Sequence, residues 1–162
     1  MAGGEDAFPL SYNQSSLWYL QQYAPTTSAY NVHLTARIRG PLDTQALTDA
    51  VARLVVRHPS LRTTFHSTPA GPVQRFEPHL AIPLAVGHAA DVSDEELRGQ
   101  VAAEFSRPYD LERGPCFRPH LWRRTADDHI LMIAAHHTVM DLAAMTTLQD
   151  ELWTVYRGLV DG

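Results

Sequence analysis

At 162 residues, with 44% hydrophobic and 19% charged side chains, the chain is long enough for one domain with a buried core, which excludes a disordered or low-complexity polypeptide. A formal net charge of -5 and the lack of any basic patch interleaved with aromatics argue against a general nucleic-acid or membrane-surface role. The single cysteine, Cys116, excludes an internal disulfide framework and a multi-cysteine metal site, and it fits a reducing compartment. The first residues carry neither the positive region nor the apolar stretch of a signal peptide, and no apolar segment is long enough to span a bilayer, so a cytoplasmic location is expected.

Taken in order, residues 1–8 read as a small, flexible lead-in, and 9–162 as a single folded unit. Ser11 is placed to cap a helix carrying Leu17, Trp18, Leu20 and Tyr23, which Pro25 ends. Over 30–39 apolar and polar residues alternate, with Val32, Leu34, Ala36 and Ile38 on one face, as in a half-buried strand. Asp43 then opens a helix whose stripe is Leu47, Val51, Leu54 and Val55, and His58-Pro59 closes it. The segments 61–67 and 73–77 flank a turn-rich linker and read as a hairpin, and 82–88 reads as a further short strand. Ser93 with acids at 94–96 starts a helix that continues through Leu97, Val101 and Phe105. The segments 116–124 and 129–135 form a second antiparallel hairpin, and a last helix runs over 143–157 with Met145, Leu148, Leu152 and Tyr156. The fold class is α/β (α+β): a mixed, largely antiparallel sheet with helices packed on it.

Chemistry concentrates at one place, where the apolar run 130–135 ends in His136-His137 and is followed by Asp141 and a helix. The run has large aliphatics and neither Gly nor Pro, as in a strand buried on both faces. Successive strand side chains point to opposite faces, so one histidine is expected to be structural and the other available to a ligand. A neutral imidazole held at one nitrogen can accept a proton at the other, which makes the pair a candidate general-base site. Asp141 has three readings: an N-cap, which is the commonest role for Asp before a helical run, a buried ion pair with an Arg, or a metal ligand beside a His. The metal reading is the weakest, because no H-E-x-x-H pattern or Cys/His ladder is present. Cys116 lies in a predicted strand with no activating partner and reads as a small buried hydrophobe. Arg57 and His58 fit a helix C-terminus, where a basic residue meets the negative end of the dipole.

Three motifs then converge. Ser11, Gln14, Leu17 and Trp18 follow an S-x-x-Q-x-x-L-W pattern; Arg57, His58, Leu61, Arg62, Thr63 and Phe65 follow R-H-x-x-L-R-T-x-F; His136, His137 and Asp141 follow H-H-x-x-x-D. In this order and over nearly the whole chain, they resemble the condensation domains of nonribosomal peptide synthetases, in the chloramphenicol-acetyltransferase-like superfamily. Two features depart from the family pattern. Leu142 stands where a Gly usually follows the motif Asp, so the loop must turn there without a residue that tolerates positive φ cheaply; in this the chain is similar to members beside polyketide-type modules. The motifs of the second of the family's two lobes are absent, and the end at Asp161-Gly162, just after a predicted helix, reads as a boundary between lobes.

The resemblance implies the N-terminal lobe of an acyltransferase that joins a carrier-bound acyl donor to a carrier-bound aminoacyl acceptor. In that reading His137 is catalytic, His136 is structural, and Asp141 holds the loop through an ion pair with Arg62. Asp141→Ala would then strand a buried charge at a cost of about 3–5 kcal/mol. The expected partners are donor and acceptor carrier proteins, each presenting substrate on phosphopantetheine, and the C-terminal lobe of the same domain; no metal or directly bound cofactor is implied. Self-association of the lone lobe is expected from its uncovered apolar face. A carrier-docking module without turnover, and a related acyltransferase or epimerisation activity, are the alternatives. Heterocyclisation is disfavoured, because that branch replaces the His pair by Asp.

Overall fold

The computed structural model describes residues 7–162. Its central feature is a four-stranded sheet in the order β2-β7-β6-β5, made from β2 (Asn31–Arg39), β5 (Ala85–His88), β6 (Phe117–Thr125) and β7 (Asp128–His136). The β6–β7 hairpin and the β2–β7 pair are antiparallel, and β5 adds in parallel at the edge. Strand β7 is therefore central, and it is covered on both faces. Leu131, Ile133 and Ala135 join the larger core with α2 (Thr44–Arg57) and α4 (Leu142–Val160). Met132 and Ala134 point the other way, toward Leu97 of α3 (Asp94–Phe105) and Trp122. This double burial is why the strand lacks alternation and reads as a continuous apolar run.

Local signals set the helix ends. Ser11 caps α1 (Tyr12–Tyr23) and Ser93 caps α3, each in a capping box closed by Gln14 and Glu96 respectively. Asp43 caps α2 by accepting from the N–H groups of Gln45 and Ala46. The apolar stripe of α2 is buried against α4, and the two helices are also joined at the C-terminal end of α2, where His58 Nε2 lies 2.7 Å from a Glu151 oxygen. That hydrogen bond holds the Glu151 carboxyl below its ordinary range. Arg57 reaches the same carboxylate at 3.6 Å, so the basic pair at the α2 terminus has a partner beyond the helix dipole.

The strands divide between two sheets rather than forming one. Strands β1 (Ala7–Pro9), β3 (Thr63–His66) and β4 (Val73–Phe76) make a separate antiparallel sheet in the order β1-β4-β3. Of the expected flexible lead-in, 1–6 lies outside the described residues, whereas Ala7 and Phe8 pair with Arg75 and Gln74. Helix α1 also departs from expectation. Trp18 is buried with Phe65, Tyr109, Leu111 and Cys116, but Leu20 and Tyr23 are exposed, as are Tyr12 and Tyr19. A helix attached through so few side chains leaves most of its surface uncovered. Cys116 is fully buried and desolvation pushes its thiol up to about 12, which removes the thiolate needed of a nucleophile.

Candidate active site

The end of β7 delivers two adjacent histidines to different environments. By the alternation of the strand, His136 falls on the side of Met132 and Ala134, and it is 1% exposed. Its Nδ1 accepts the Thr138 backbone N–H at 3.2 Å and lies 2.9 Å from the Thr138 hydroxyl. Nδ1 is thus the ring's acceptor, and the proton of the neutral imidazole sits on Nε2. Tyr30 and Tyr109 meet the ring in T-shaped arrangements at centroid separations of 6.3 and 6.0 Å. Burial, and next the adjacent His137, depress its pKa to about 4. His136 is a neutral strut for the turn.

His137 is the first residue past the strand and is exposed. Its backbone N–H donates to the Tyr30 carbonyl at 2.8 Å. Its Nδ1 lies 3.0 Å from the Met140 carbonyl. A carbonyl can only accept, so Nδ1 carries the proton and Nε2 is left as a free acceptor. The residue lines an open cleft of about 710 Å³, walled on one side by Ser11, Asn13, Gln14 and Leu17 of the α1 start and on the other by the loop from Thr138 to Asp141. A base whose tautomer is fixed by a backbone carbonyl, at the wall of a cleft, is equipped to orient or accept a proton from a bound nucleophile.

Asp141 is the N-cap of α4, its carboxylate accepting the Ala144 N–H at 2.7 Å. The expected Arg62–Asp141 ion pair is not formed. Arg62 instead donates to three backbone carbonyls, those of Val55 at 2.8 Å, Glu77 at 3.0 Å and Val56 at 3.3 Å. The physical reason is the proximity of the α2 C-terminus, whose last carbonyls have no intrahelical partner and attract a guanidinium. Asp141→Ala should therefore cost about 1 kcal/mol, the usual worth of a cap, rather than the larger penalty of an orphaned buried charge. Urea unfolding of the single variant measures this directly; a loss above about 3 kcal/mol would restore a buried-pair role. Leu142 is the first residue of α4, and no described residue other than glycine has positive φ. The turn thus needs no glycine at 142, and the side chain there is 63% exposed.

The structure brings His136, His137 and Asp141 together within one turn and places Arg62 away from them, at the α2 terminus. Four supporting groups carried no separate signal in the sequence: the carbonyls of Tyr30 and Met140, the Thr138 hydroxyl, and Gln74. Gln14, in contrast, occupies the fourth position of an S-x-x-Q capping box, a pattern readable from residue types and spacing alone. Among the described residues, no group of three or more His, Cys, Asp and Glu is arranged to hold a metal ion, and no helix is long and apolar enough to cross a membrane.

Residues 4–162 match the family model described as "Condensation domain". Tyrocidine synthase 3 of Brevibacillus parabrevis is 32% identical over 151 residues, covering 93% of this chain and 2% of that protein. Surfactin synthase subunit 2 of Bacillus subtilis (strain 168) is 34% identical over 158 residues, covering 97% of this chain and 4% of that protein. The solved starter condensation domain of rhizomide synthetase RzmA superposes with a TM-score of 0.88 at 23% identity, over 96% of this chain and 38% of that one. The chain therefore spans a few hundredths of the length of these curated relatives and 38% of the solved condensation-domain chain.

Proposed function

Because this chain belongs to the condensation-domain family of nonribosomal peptide synthetases, we propose that it is the N-terminal lobe of such a domain and carries the base side of an amide-forming site. The observation that supports this most is the fixed tautomer of His137, with Nδ1 on the Met140 carbonyl and the residue lining the cleft. In the proposed reaction an amine held on one carrier protein attacks the thioester carbonyl of an acyl group held on another. The new C–N bond forms, the C–S bond breaks, the amine gives up one proton and the departing thiolate takes one. His137 Nε2 orients the attacking amine or receives its proton, and the same group can stabilise the tetrahedral intermediate. Most of the rate comes from holding two tethered reactants in register.

His136, Asp141 and Arg62 are supporting residues in this reading. The first props the turn, the second caps α4, and the third ties the α2 terminus to Glu77. The substrates arrive on the phosphopantetheine arms of donor and acceptor carrier proteins, and the open side of the cleft is covered by the C-terminal lobe. The exposed Tyr12, Tyr19, Leu20 and Tyr23 support self-association of the lone lobe.

Single-turnover condensation with loaded carrier proteins tests the proposal. This chain alone is compared with the chain joined to its second lobe, and each is repeated with His137→Ala. Product only from the two-lobe protein with His137 intact is the expected result. Product from the 162-residue chain would overturn the incomplete-site reading, and no product from any sample would favour a carrier-docking module.

A further inference from the structure

Gln14 is the point where α1, the small sheet and the His136–Asp141 turn are tied together. Its side-chain Oε1 accepts the Ser11 backbone N–H at 2.9 Å. Its Nε2 donates to the Thr138 carbonyl at 3.3 Å and to the Gln74 Oε1 at 3.2 Å. Gln74 in turn donates from Nε2 to the Pro9 carbonyl at 3.1 Å. The orientation of the Gln14 amide is settled twice over, since a backbone N–H can only donate and a backbone carbonyl can only accept. One acceptor and two N–H donors are thus all engaged. No other side chain of similar length offers that set: Glu cannot donate, Lys cannot accept, and Asn is one methylene short.

The backbone N–H groups of the turn are held as well. The His137 N–H goes to the Tyr30 carbonyl, the Thr138 N–H to His136 Nδ1, and the Val139 N–H to the His136 carbonyl. The Thr138 carbonyl is held by Gln14. If that bond is lost, the peptide plane between Thr138 and Val139 is held at one edge only, by the Val139 N–H on the His136 carbonyl, and can tilt about it; the plane leads within two residues to the Met140 carbonyl that fixes the His137 ring. Resting on the function proposed above, we infer that Gln14, backed by Gln74, is a positioning residue for His137: the paired amides hold the Thr138 carbonyl and thereby the tautomer and angle of the imidazole. Gln14 is half-buried and α1 is otherwise anchored mainly by Trp18 and Gln21, so the bracket also sets the distance between the α1 wall of the cleft and the base.

The test uses Gln14→Glu, Gln14→Ala and Gln74→Ala. Gln14→Glu preserves size and the acceptor for the Ser11 N–H, so it keeps the helix cap while placing a carboxylate oxygen against the Thr138 carbonyl. In the two-lobe protein, kcat for amide formation is expected to fall about 10- to 100-fold in Gln14→Glu and Gln14→Ala, with KM for either loaded carrier within about twofold. The fall in Gln74→Ala should be smaller. Nitrogen-15 NMR of the His137 ring in the 162-residue chain, at a pH where that ring is neutral, should show a proton on Nδ1 in the parent. In both Gln14 variants the two tautomers should be mixed, a signature that loss of a cap alone does not produce. An unchanged His137 spectrum overturns the inference, whatever the rate. A raised KM with kcat intact also overturns it, because Gln14 would then be touching substrate. If the parent two-lobe protein makes no amide, the proposed function fails while the ring spectra still decide the role of Gln14. Should Gln14→Ala fail to fold, Gln14→Glu carries both readouts.

Discussion

Replacing His137 with Ala in the two-lobe protein is expected to slow amide formation by about 10²–10⁴-fold, the range for loss of a positioned general base. The unfolding free energy should change by no more than about 1 kcal/mol, because the side chain is exposed and only one hydrogen bond, to the Met140 carbonyl, is removed. The separation of the two effects is the point of the experiment. A residue that served the fold would lose both together, as His136→Ala should, since that change removes a fully buried ring and the partner of the Thr138 N–H. Single-turnover rates and urea midpoints on the same preparations make the comparison. A His137→Ala protein that keeps its rate within about threefold would remove the base from the mechanism.

The second large effect concerns acid. His136 is held neutral, its pKa depressed from the ordinary 6.5 to about 4 by burial first and by His137 second. The unfolded chain binds its proton near pH 6.5 and the folded chain only near pH 4, so between these values the unfolded state carries more protons. The contribution of His136 to stability is then fully present above about pH 6.5, falls as pH drops through that window, and levels off below about pH 4. For a displacement of this size the loss is about 3 kcal/mol, a large share of the stability of a small domain. Burial lowers His33 and His120 as well, which adds in the same direction. Among the described residues no carboxylate compensates at His136, whose ring faces Tyr30 and Tyr109 and whose sequence neighbour is another histidine. Urea midpoints of the 162-residue chain between about pH 7.5 and 4 measure the slope. His136→Asn, whose side-chain oxygen can accept the Thr138 N–H without titrating, should flatten it; an equal slope in both proteins would assign the acid sensitivity elsewhere.

Much of the architecture was legible in the residues because it depends on local rules. Ser11, Asp43 and Ser93 cap their helices as their positions before apolar-periodic runs require. Val32, Leu34, Ala36 and Ile38 fall on the more buried face of β2, and Leu47, Val51, Leu54 and Val55 on the buried stripe of α2. That the two histidines meet different surroundings was legible too, although the strand repeat places only His136, the last residue of β7, and His137 is turned out because the strand ends before it. What the chain did not announce was every pairing across long sequence separation. Arg62 was expected on Asp141 because opposite charges in two motifs invite it, yet the carbonyls at the α2 terminus are nearer and take the guanidinium. Leu142 was expected to burden a turn that in fact has already become helix.

The sequence by itself determined the family, the helix caps, the central apolar strand and the histidine pair at its end, because each rests on residue type and spacing along the chain. Only the tertiary structure decided that the strands divide between two sheets, that the Met140 carbonyl fixes the free nitrogen of His137, and that Gln14 and Gln74 bracket the Thr138 carbonyl. These depend on groups 60 to 124 residues apart in the case of Gln14, or on backbone carbonyls that every residue possesses. A carbonyl has no residue identity to read, and which one lies within hydrogen-bonding distance is set by how the sheets and helices close on one another.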